Sequence, residues 1–186
     1  LHLLFLVSAT GLLPFGIYLV GMPVLVQQVY DGGAMLLAAL QLLFTCGVIS
    51  ANIVVARRKK NFVNSGRLMV ISFFWRGSLF TFTAFSPPFW ILFLVIFLWG
   101  FSTGLSMVLG RTILHNNISK SYRARALSIY QICLVGGTPL GAWLCGLLID
   151  DLGINIAFMF ISLVTVTLAI GMSLFSPLWK LRTTDS

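Results

Sequence analysis

The stretch of sequence that decides the fold is residues 123–150, RARALSIYQICLVGGTPLGAWLCGLLID. It begins with a basic cluster and continues without a charge from residue 126 to residue 149. A helix of roughly 20 apolar residues, rising 1.5 Å per residue, is long enough to cross the hydrocarbon core of a bilayer. The stretch is therefore predicted to be a transmembrane helix.

Small residues are concentrated in the middle of this stretch, at Gly136, Gly137, Gly141 and Gly146. Gly137 and Gly141 are four residues apart, a spacing that lets a second helix backbone approach closely inside a membrane. Pro139 lies between them and predicts a kink, because proline cannot donate a helical backbone hydrogen bond. We interpret these five residues as a helix-packing or gating element.

The composition of the chain favours a membrane protein throughout. Of its 186 residues, 59% are hydrophobic and 9% are charged, against about a quarter charged in ordinary soluble domains. The net charge is +8, and the basic residues that produce it fall mostly in short segments between apolar runs. This distribution favours the lipid bilayer over nucleic acid as the partner. The three cysteines lie inside apolar runs without metal-ligand spacing, so neither a metal nor a cofactor is predicted.

Six apolar runs are predicted as transmembrane spans, and they cover residues 1–29, 34–56, 68–85, 89–109, 123–150 and 154–175. A polar loop is predicted between the fourth and fifth spans, from Arg111 to Arg125. The chain opens on Leu1 and lacks the basic start of a signal peptide, so we expect it to be a piece of a longer protein.

Six spans place the connecting segments alternately on two sides of the membrane. One side has no Lys or Arg and carries Asp31, Asp150 and Asp151. The other side receives Arg57, Arg58, Lys59, Lys60, Arg67, Arg111, Lys120, Arg123, Arg125, Lys180 and Arg182. Because basic segments remain in the cytoplasm, both ends of the chain are predicted to be cytoplasmic, in a bacterial inner (plasma) membrane.

A weak internal repeat occurs at an offset of ninety residues. The matched residues are Gln41, Gly47, Ala51 and Ala56 in the second span and Gln131, Gly137, Gly141 and Gly146 in the fifth. An odd number of spans per repeat makes the copies point in opposite directions, as in secondary transporters. We predict two inverted three-helix repeats, 1–85 and 89–175, with chance matching of small residues as the alternative.

Polar residues inside the spans are candidates for a solute path. Gln41, Thr45 and Asn52 share one face of a helix, because steps of four and eleven residues return to nearly the same angle. The alternative is that they only hydrogen-bond a neighbouring helix. Gln131 and Thr138 offer a similar face on the fifth span, and weaker candidates of the same kind are Tyr18, Ser102, Ser106 and Tyr130.

Apart from Arg123, Arg125 and Asp150 at the ends of the fifth span, Arg76 is the only charged residue inside a predicted span. An arginine within a membrane is costly and is by default a functional candidate, but its side chain can also extend to the membrane surface. We favour a structural role, because no carboxylate lies inside a span to pair with it.

An enzyme is not predicted. Residues 100–104, GFSTG, have the letters of a nucleophile elbow, but that motif requires a strand, a turn and a helix. The only histidines, His2 and His115, lie at a chain end and in a predicted loop, away from Ser102.

The chain resembles the major facilitator superfamily over nearly its whole length, and specifically the C-terminal six-helix half of a twelve-helix transporter, with residues 104–146 as the most specific part of the resemblance. The resemblance rests on Gly110-Arg111, on the sequences SIYQ at 128–131 and GGTPLG at 136–141, and on the basic loop 123–125. It is similar to bacterial exporters of the drug and enterobactin type, although their loop usually carries Pro and Arg-Gly-Arg where this chain has Ser119 and Ala124.

The resemblance implies proton-coupled export of a small solute by alternating access, with a missing N-terminal six-helix half as partner. It places six candidates on the helices that line the path, namely Tyr18, Gln41, Thr45, Asn52, Ser106 and Gln131. The alternative is a self-contained six-helix channel or membrane scaffold that oligomerises through its glycine faces.

Overall fold

The computed structural model describes residues 14–57 and 65–175, and every regular element in those ranges is a helix. A π-helical turn, Ile17–Gly21, leads into α1, Met22–Gln28. A 3₁₀ turn, Lys120–Tyr122, precedes α5. The remaining helices are α2 (Ala34–Arg57), α3 (Ser65–Ala84), α4 (Phe89–Asn117), α5 (Arg123–Val135), α6 (Thr138–Leu152) and α7 (Ile154–Phe175). The predicted all-helical class is confirmed for this part of the chain.

Four segments within the described ranges are long and apolar enough to cross a membrane, namely Ala34–Arg57, Phe89–His115, Arg123–Leu152 and Ile154–Gly171. They correspond to the second, fourth, fifth and sixth predicted spans. The third predicted span forms α3 but is not among the four, because Arg76 and several hydroxyl residues make it less apolar. Part of the first predicted span, residues 1–13, lies outside the described residues.

The predicted polar loop from Arg111 to Arg125 is wrong for most of its length. Helix α4 continues to Asn117 and α5 begins at Arg123. The Nε atom of Arg123 donates a hydrogen bond of 3.2 Å to the carbonyl of Ile118, which ties the short connection to α5. A change to polar residues marks where a helix leaves the hydrocarbon, and the helix itself continues because its backbone hydrogen bonds are internal.

The fifth predicted span is interrupted where the sequence predicts a kink. Helix α5 ends at Val135, Gly136 and Gly137 form a turn, and α6 begins at Thr138 with Pro139 in its first turn. Proline has no N–H to donate to the carbonyl four residues earlier, so the helical hydrogen-bond ladder is broken at this point.

Small residues set the distances between the helices. Helix α2 packs most extensively on α4, and α3 packs on both α4 and α7. A Cβ atom at Gly47 of α2 would overlap the carbonyl oxygen of Phe97, and one at Gly100 of α4 would overlap that of Phe44. Close backbone approach of this kind gives membrane helices the van der Waals contact that holds them together.

Two connections lie at the same end of the helices. The hydroxyl of Tyr30, just after α1, donates a hydrogen bond to the carbonyl of Pro87, just before α4. The ring of Tyr30 also lies 5.0 Å from that of Phe89. Burial raises the pKa of Tyr30, so its hydroxyl keeps the proton that it donates. The contact agrees with the predicted alternation of connections between two sides.

Candidate functional site

An aromatic cluster joins the start of the described chain to α2, α3 and α4. The ring of Tyr18 lies 4.6 Å from that of Phe44 and 6.0 Å from that of Trp99. Trp99 also contacts Phe44 at 5.3 Å and Phe80 at 4.9 Å, both in edge-on geometry. Edge-to-face pairs are favoured because the positive ring edge meets the negative ring face, so the cluster forms a fixed wall.

Two small recesses open beside this wall. Both are lined by Phe15, Arg76 and Thr103, and we refer to them together as the Arg76 recess. The larger is also lined by Met69, Phe73, Ser106, Met107, Tyr130 and Leu134, and the smaller by Pro14, Tyr18, Phe44 and Trp99.

Arg76 lies in the wall shared by the two recesses and is only 2% exposed. Its Nε and Nη2 atoms have no hydrogen-bond partner within the described residues. The guanidinium carbon lies 4.4 Å from the centroid of the Phe73 ring, a cation–π contact. Extension of this side chain to the membrane surface, one of the two sequence-based interpretations, is wrong, because α3 turns the guanidinium into the bundle.

Three of the hydroxyl groups that line the Arg76 recess donate to backbone carbonyls. Thr103 donates to Trp99 at 2.9 Å, and Ser106 donates to Thr103 at 2.9 Å. The Tyr130 hydroxyl donates to the carbonyl of Met107 at 3.3 Å and links α5 to α4. These three hydrogens are therefore engaged, whereas Nε and Nη2 of Arg76 are donors without a partner in the described chain.

Two of the six predicted path residues line the Arg76 recess, namely Tyr18 and Ser106. The other four, Gln41, Thr45, Asn52 and Gln131, do not line it. Gln41 is half-buried, whereas Thr45, Asn52 and Gln131 are exposed. The Thr45 hydroxyl donates to the carbonyl of Gln41 at 2.9 Å within α2.

The predicted packing glycines differ in their surroundings. Gly141 is buried, and a Cβ atom at Gly16 would overlap its carbonyl oxygen, so two backbones meet there. Gly136 and Gly137 form the interruption ahead of Pro139. A Cβ atom at Gly146 would meet no atom within 4 Å, so the described chain gives this glycine no packing contact.

The predicted basic residues lie at helix ends. Arg57 ends α2, Arg67 is in the first turn of α3, and Arg123 and Arg125 are in the first turn of α5. Arg57, Arg67 and Arg125 are exposed, whereas Arg123 is half-buried and its Nη1 atom lies 3.5 Å from Nε2 of His115. Arg58 lies outside the described residues.

Several residues around Arg76 were not predicted from the sequence, namely Phe15, Met69, Phe73 and Thr103. A usable signal existed, because Met69, Phe73 and Arg76 follow each other at steps of four and three residues and so share one face of α3. Ser102, in the GFSTG motif, is buried in α4 and donates to the carbonyl of Ser72 at 2.7 Å. This serine links two helices and does not sit on a strand-to-helix turn.

Comparison of the chain with curated proteins found no match. Its sequence does match the family described as the Major Facilitator Superfamily, over residues 4–184, which is nearly all of its length. The apolar helices and this match together make it an integral membrane protein. The chain therefore belongs to the Major Facilitator Superfamily, a family of secondary transporters.

Proposed function

We propose that this chain is the C-terminal six-helix half of a secondary transporter that moves a small solute across a membrane by alternating access. The observation that carries the proposal is the Arg76 recess, where a buried arginine lies in a mostly apolar site lined by α2, α3, α4, α5 and the segment ahead of α1. A charged residue inside a membrane bundle is expensive to keep, and such residues mark solute and ion paths. The family match supplies the reaction class.

The packing of the helices supports two inverted repeats. In an inverted repeat the first, second and third spans correspond to the fourth, fifth and sixth. A contact between the second and fourth spans therefore implies a matching contact between the fifth and first spans. Both contacts occur, because α2 packs on α4 and α6 packs on the π-helical turn. It relates the contact of the third span with the sixth to itself, and α3 does pack on α7. Close backbone contacts occur at both symmetry-related crossings, at Gly47 and at Gly141.

The exposed polar face supports a partner half. Thr45 and Asn52 on α2 and Gln131 on α5 are exposed on the described chain. A polar side chain facing hydrocarbon costs free energy, so such a face is better suited to water in a solute path or to a second protein surface. A second six-helix half placed against it would form the other wall of that path.

The orientation and coupling that we propose follow from charge. Basic residues at the ends of α2 and α5 would face the cytoplasm, with both ends of the chain on that side. The chain has no glutamate, and Asp31, Asp150 and Asp151 lie at helix ends or in a connection. Proton-carrying acids would therefore lie in the N-terminal half, and export is the direction that we propose.

Thiol accessibility tests the solute path and does not require the solute to be known. Single cysteines at Asn52 and Gln131, in the transporter that contains this chain and with Cys46, Cys133 and Cys145 replaced, should react with a small water-soluble methanethiosulfonate reagent. Phe160→Cys provides the matched control, because Phe160 is an exposed apolar residue on α7. Equal reactivity at all three positions would contradict a path on this face.

Reconstitution tests the division into halves. Residues 1–186 alone in proteoliposomes should give no saturable flux for a panel of labelled organic anions, organic cations and sugars. Co-reconstitution with the other half should give saturable flux for at least one of them. Saturable flux through residues 1–186 alone would contradict the half-transporter and favour the oligomeric channel.

A further inference from the structure

The guanidinium group of Arg76 has hydrogen-bond donors that the described chain does not use. Arg76 is fully enclosed, and both Nε and Nη2 lack a partner there. Nε carries one hydrogen and Nη2 two, and buried donors of this kind are nearly always paired in proteins. An unpaired set that is aimed into a recess indicates that a further acceptor binds there.

No acid within the described residues fills this position. Glutamate is absent and only four aspartates occur. Three of them are described, and Asp31, Asp150 and Asp151 are all exposed, away from the Arg76 recess. The Phe73 ring, 4.4 Å away, compensates only part of the buried charge, because a ring face carries no net charge.

The walls of the recess define the shape of a suitable ligand. Its polar lining is small, consisting of Thr103, Ser106 and the hydroxyl of Tyr130 around Arg76. The remaining surface is aromatic and aliphatic, with Phe73 in the larger recess, Tyr18 and Trp99 in the smaller one, and Phe15 in both. Sites of this composition bind an apolar body through contact area and orient it through a few polar groups.

We propose that Arg76 binds the anionic group of a transported organic anion, whose apolar or aromatic body lies outside the small recess and packs against the aromatic side chains beside Arg76. The planar guanidinium can hold a carboxylate through two parallel charge-assisted hydrogen bonds, and it holds a phosphate or sulfonate in a similar way. This assignment rests on the proposed transport function, and it adds the class of solute.

A small solute fits the site better than an acidic side chain from another part of the transporter. Arg76 is buried by the helices of this chain alone, and the recess lies among α3, α4, α5 and the segment ahead of α1. A side chain from outside would have to enter between packed helices with its backbone attached, whereas a free anion enters without that constraint.

Paired probes of the same shape test the assignment in the full transporter. Benzoate carries the anion, and benzamide is its neutral counterpart. Benzoate should shift the ¹⁵N–¹H side-chain resonance of Arg76 and raise the midpoint of thermal unfolding with dose, whereas benzamide should do neither. Arg76→Gln should abolish the benzoate response, and Arg125→Gln, at an exposed position on α5, should retain it.

Arg76→Lys is a second variant that keeps the positive charge, and it remains informative if Arg76→Gln does not fold. It should weaken benzoate binding by about 10–100-fold, the value expected for the loss of one charge-assisted hydrogen bond. An equal benzoate response in wild type and Arg76→Gln would overturn the proposal. The absence of any benzoate response in the wild-type protein would also overturn it. If Arg76→Gln then had a lower unfolding midpoint than the wild type, the partner of Arg76 would be an acidic side chain.

The same measurements separate this proposal from the proposed function. Saturable flux of another solute that is unchanged by Arg76→Gln, together with no response to benzoate, would reject the anion site and leave the transporter. A benzoate shift at Arg76 in a protein that moves none of the panel of solutes would retain the anion site and reject transport.

Discussion

Gly16 and Gly141 meet backbone to backbone, because a Cβ atom at position 16 would overlap the carbonyl oxygen of Gly141. Gly141 lies in α6, four residues after the Gly137 turn, and its N–H donates to the carbonyl of Gly137 at 2.9 Å. The closest approach of the first helical segment to α6 therefore falls beside the interruption of the fifth span. Any bending at that interruption has to move this contact.

Replacement of Gly16 by Ala should separate the two backbones. We expect the free energy of unfolding to fall by about 1–3 kcal/mol, the usual cost of an added group in a packed site. The thermal unfolding midpoint of the purified transporter measures this change. Gly146→Ala, where a Cβ would meet no atom within 4 Å, is the matched control and should leave the midpoint unchanged. Equal midpoints for the two variants would show that the Gly16 contact does not hold the helices together.

Replacement of Ser162 by Ala should weaken the contact between α3 and α7. The Ser162 hydroxyl donates to the carbonyl of Gly77 at 2.7 Å and lies 2.5 Å from the hydroxyl oxygen of Thr81. Hydrogen bonds between membrane helices contribute about 0.5–1.5 kcal/mol, and we expect a loss of that size. Thr167→Ala removes a bond that stays inside α7, to the carbonyl of Leu163, and is the control. A larger loss at Thr167 would contradict a cross-helix role for Ser162.

Helix boundaries could be predicted from the sequence where hydropathy and the chain's turn residues agree. Helix α7 has the predicted bounds because Gly153 directly precedes it, with a positive φ of 81° that favours glycine. The end of α4 could not be predicted in this way, because its last turns are polar yet helical. Hydropathy measures transfer into lipid, and helix formation continues wherever the backbone can hydrogen-bond to itself.

The candidate site was predicted in part, for a geometric reason. Periodicity correctly placed Gln41, Thr45 and Asn52 on one face of a helix, but it carries no information about which neighbour that face meets. The surroundings of Arg76 depend on contacts between α3, α4 and α5, and these are set by close approaches such as that of Gly100 to Phe44. Those contacts join residues far apart in sequence, which no single-helix pattern contains.

Thiol labelling from outside intact cells should distinguish the two ends of the bundle. In a background without the native cysteines, Gly33→Cys should react with a membrane-impermeant reagent, and Ser121→Cys should not. Both positions are exposed, and a side chain at Gly33 would meet no atom within 4 Å. The physical reason is the asymmetry of charge, because Ser121 lies beside Arg123 and Arg125 and Gly33 lies near Asp31. Labelling of Ser121→Cys alone would invert the proposed orientation.

Replacement of Arg76 by Met should make the transporter more stable and less active at the same time. Without a bound anion, the guanidinium group loses its hydration, its Nε and Nη2 atoms have no partner among the described residues, and it lies against the Phe73 ring. Replacing a buried charge by an apolar residue of similar volume often stabilises a protein by on the order of 1–4 kcal/mol. We therefore expect a higher thermal unfolding midpoint in the absence of solute, together with loss of anion flux.

Arg125→Met, at an exposed position, is the control and should change neither the midpoint nor the flux. A correctly folded Arg76→Met protein with a lower midpoint would contradict this prediction. It would mean that the charge of Arg76 is already compensated in the absence of solute.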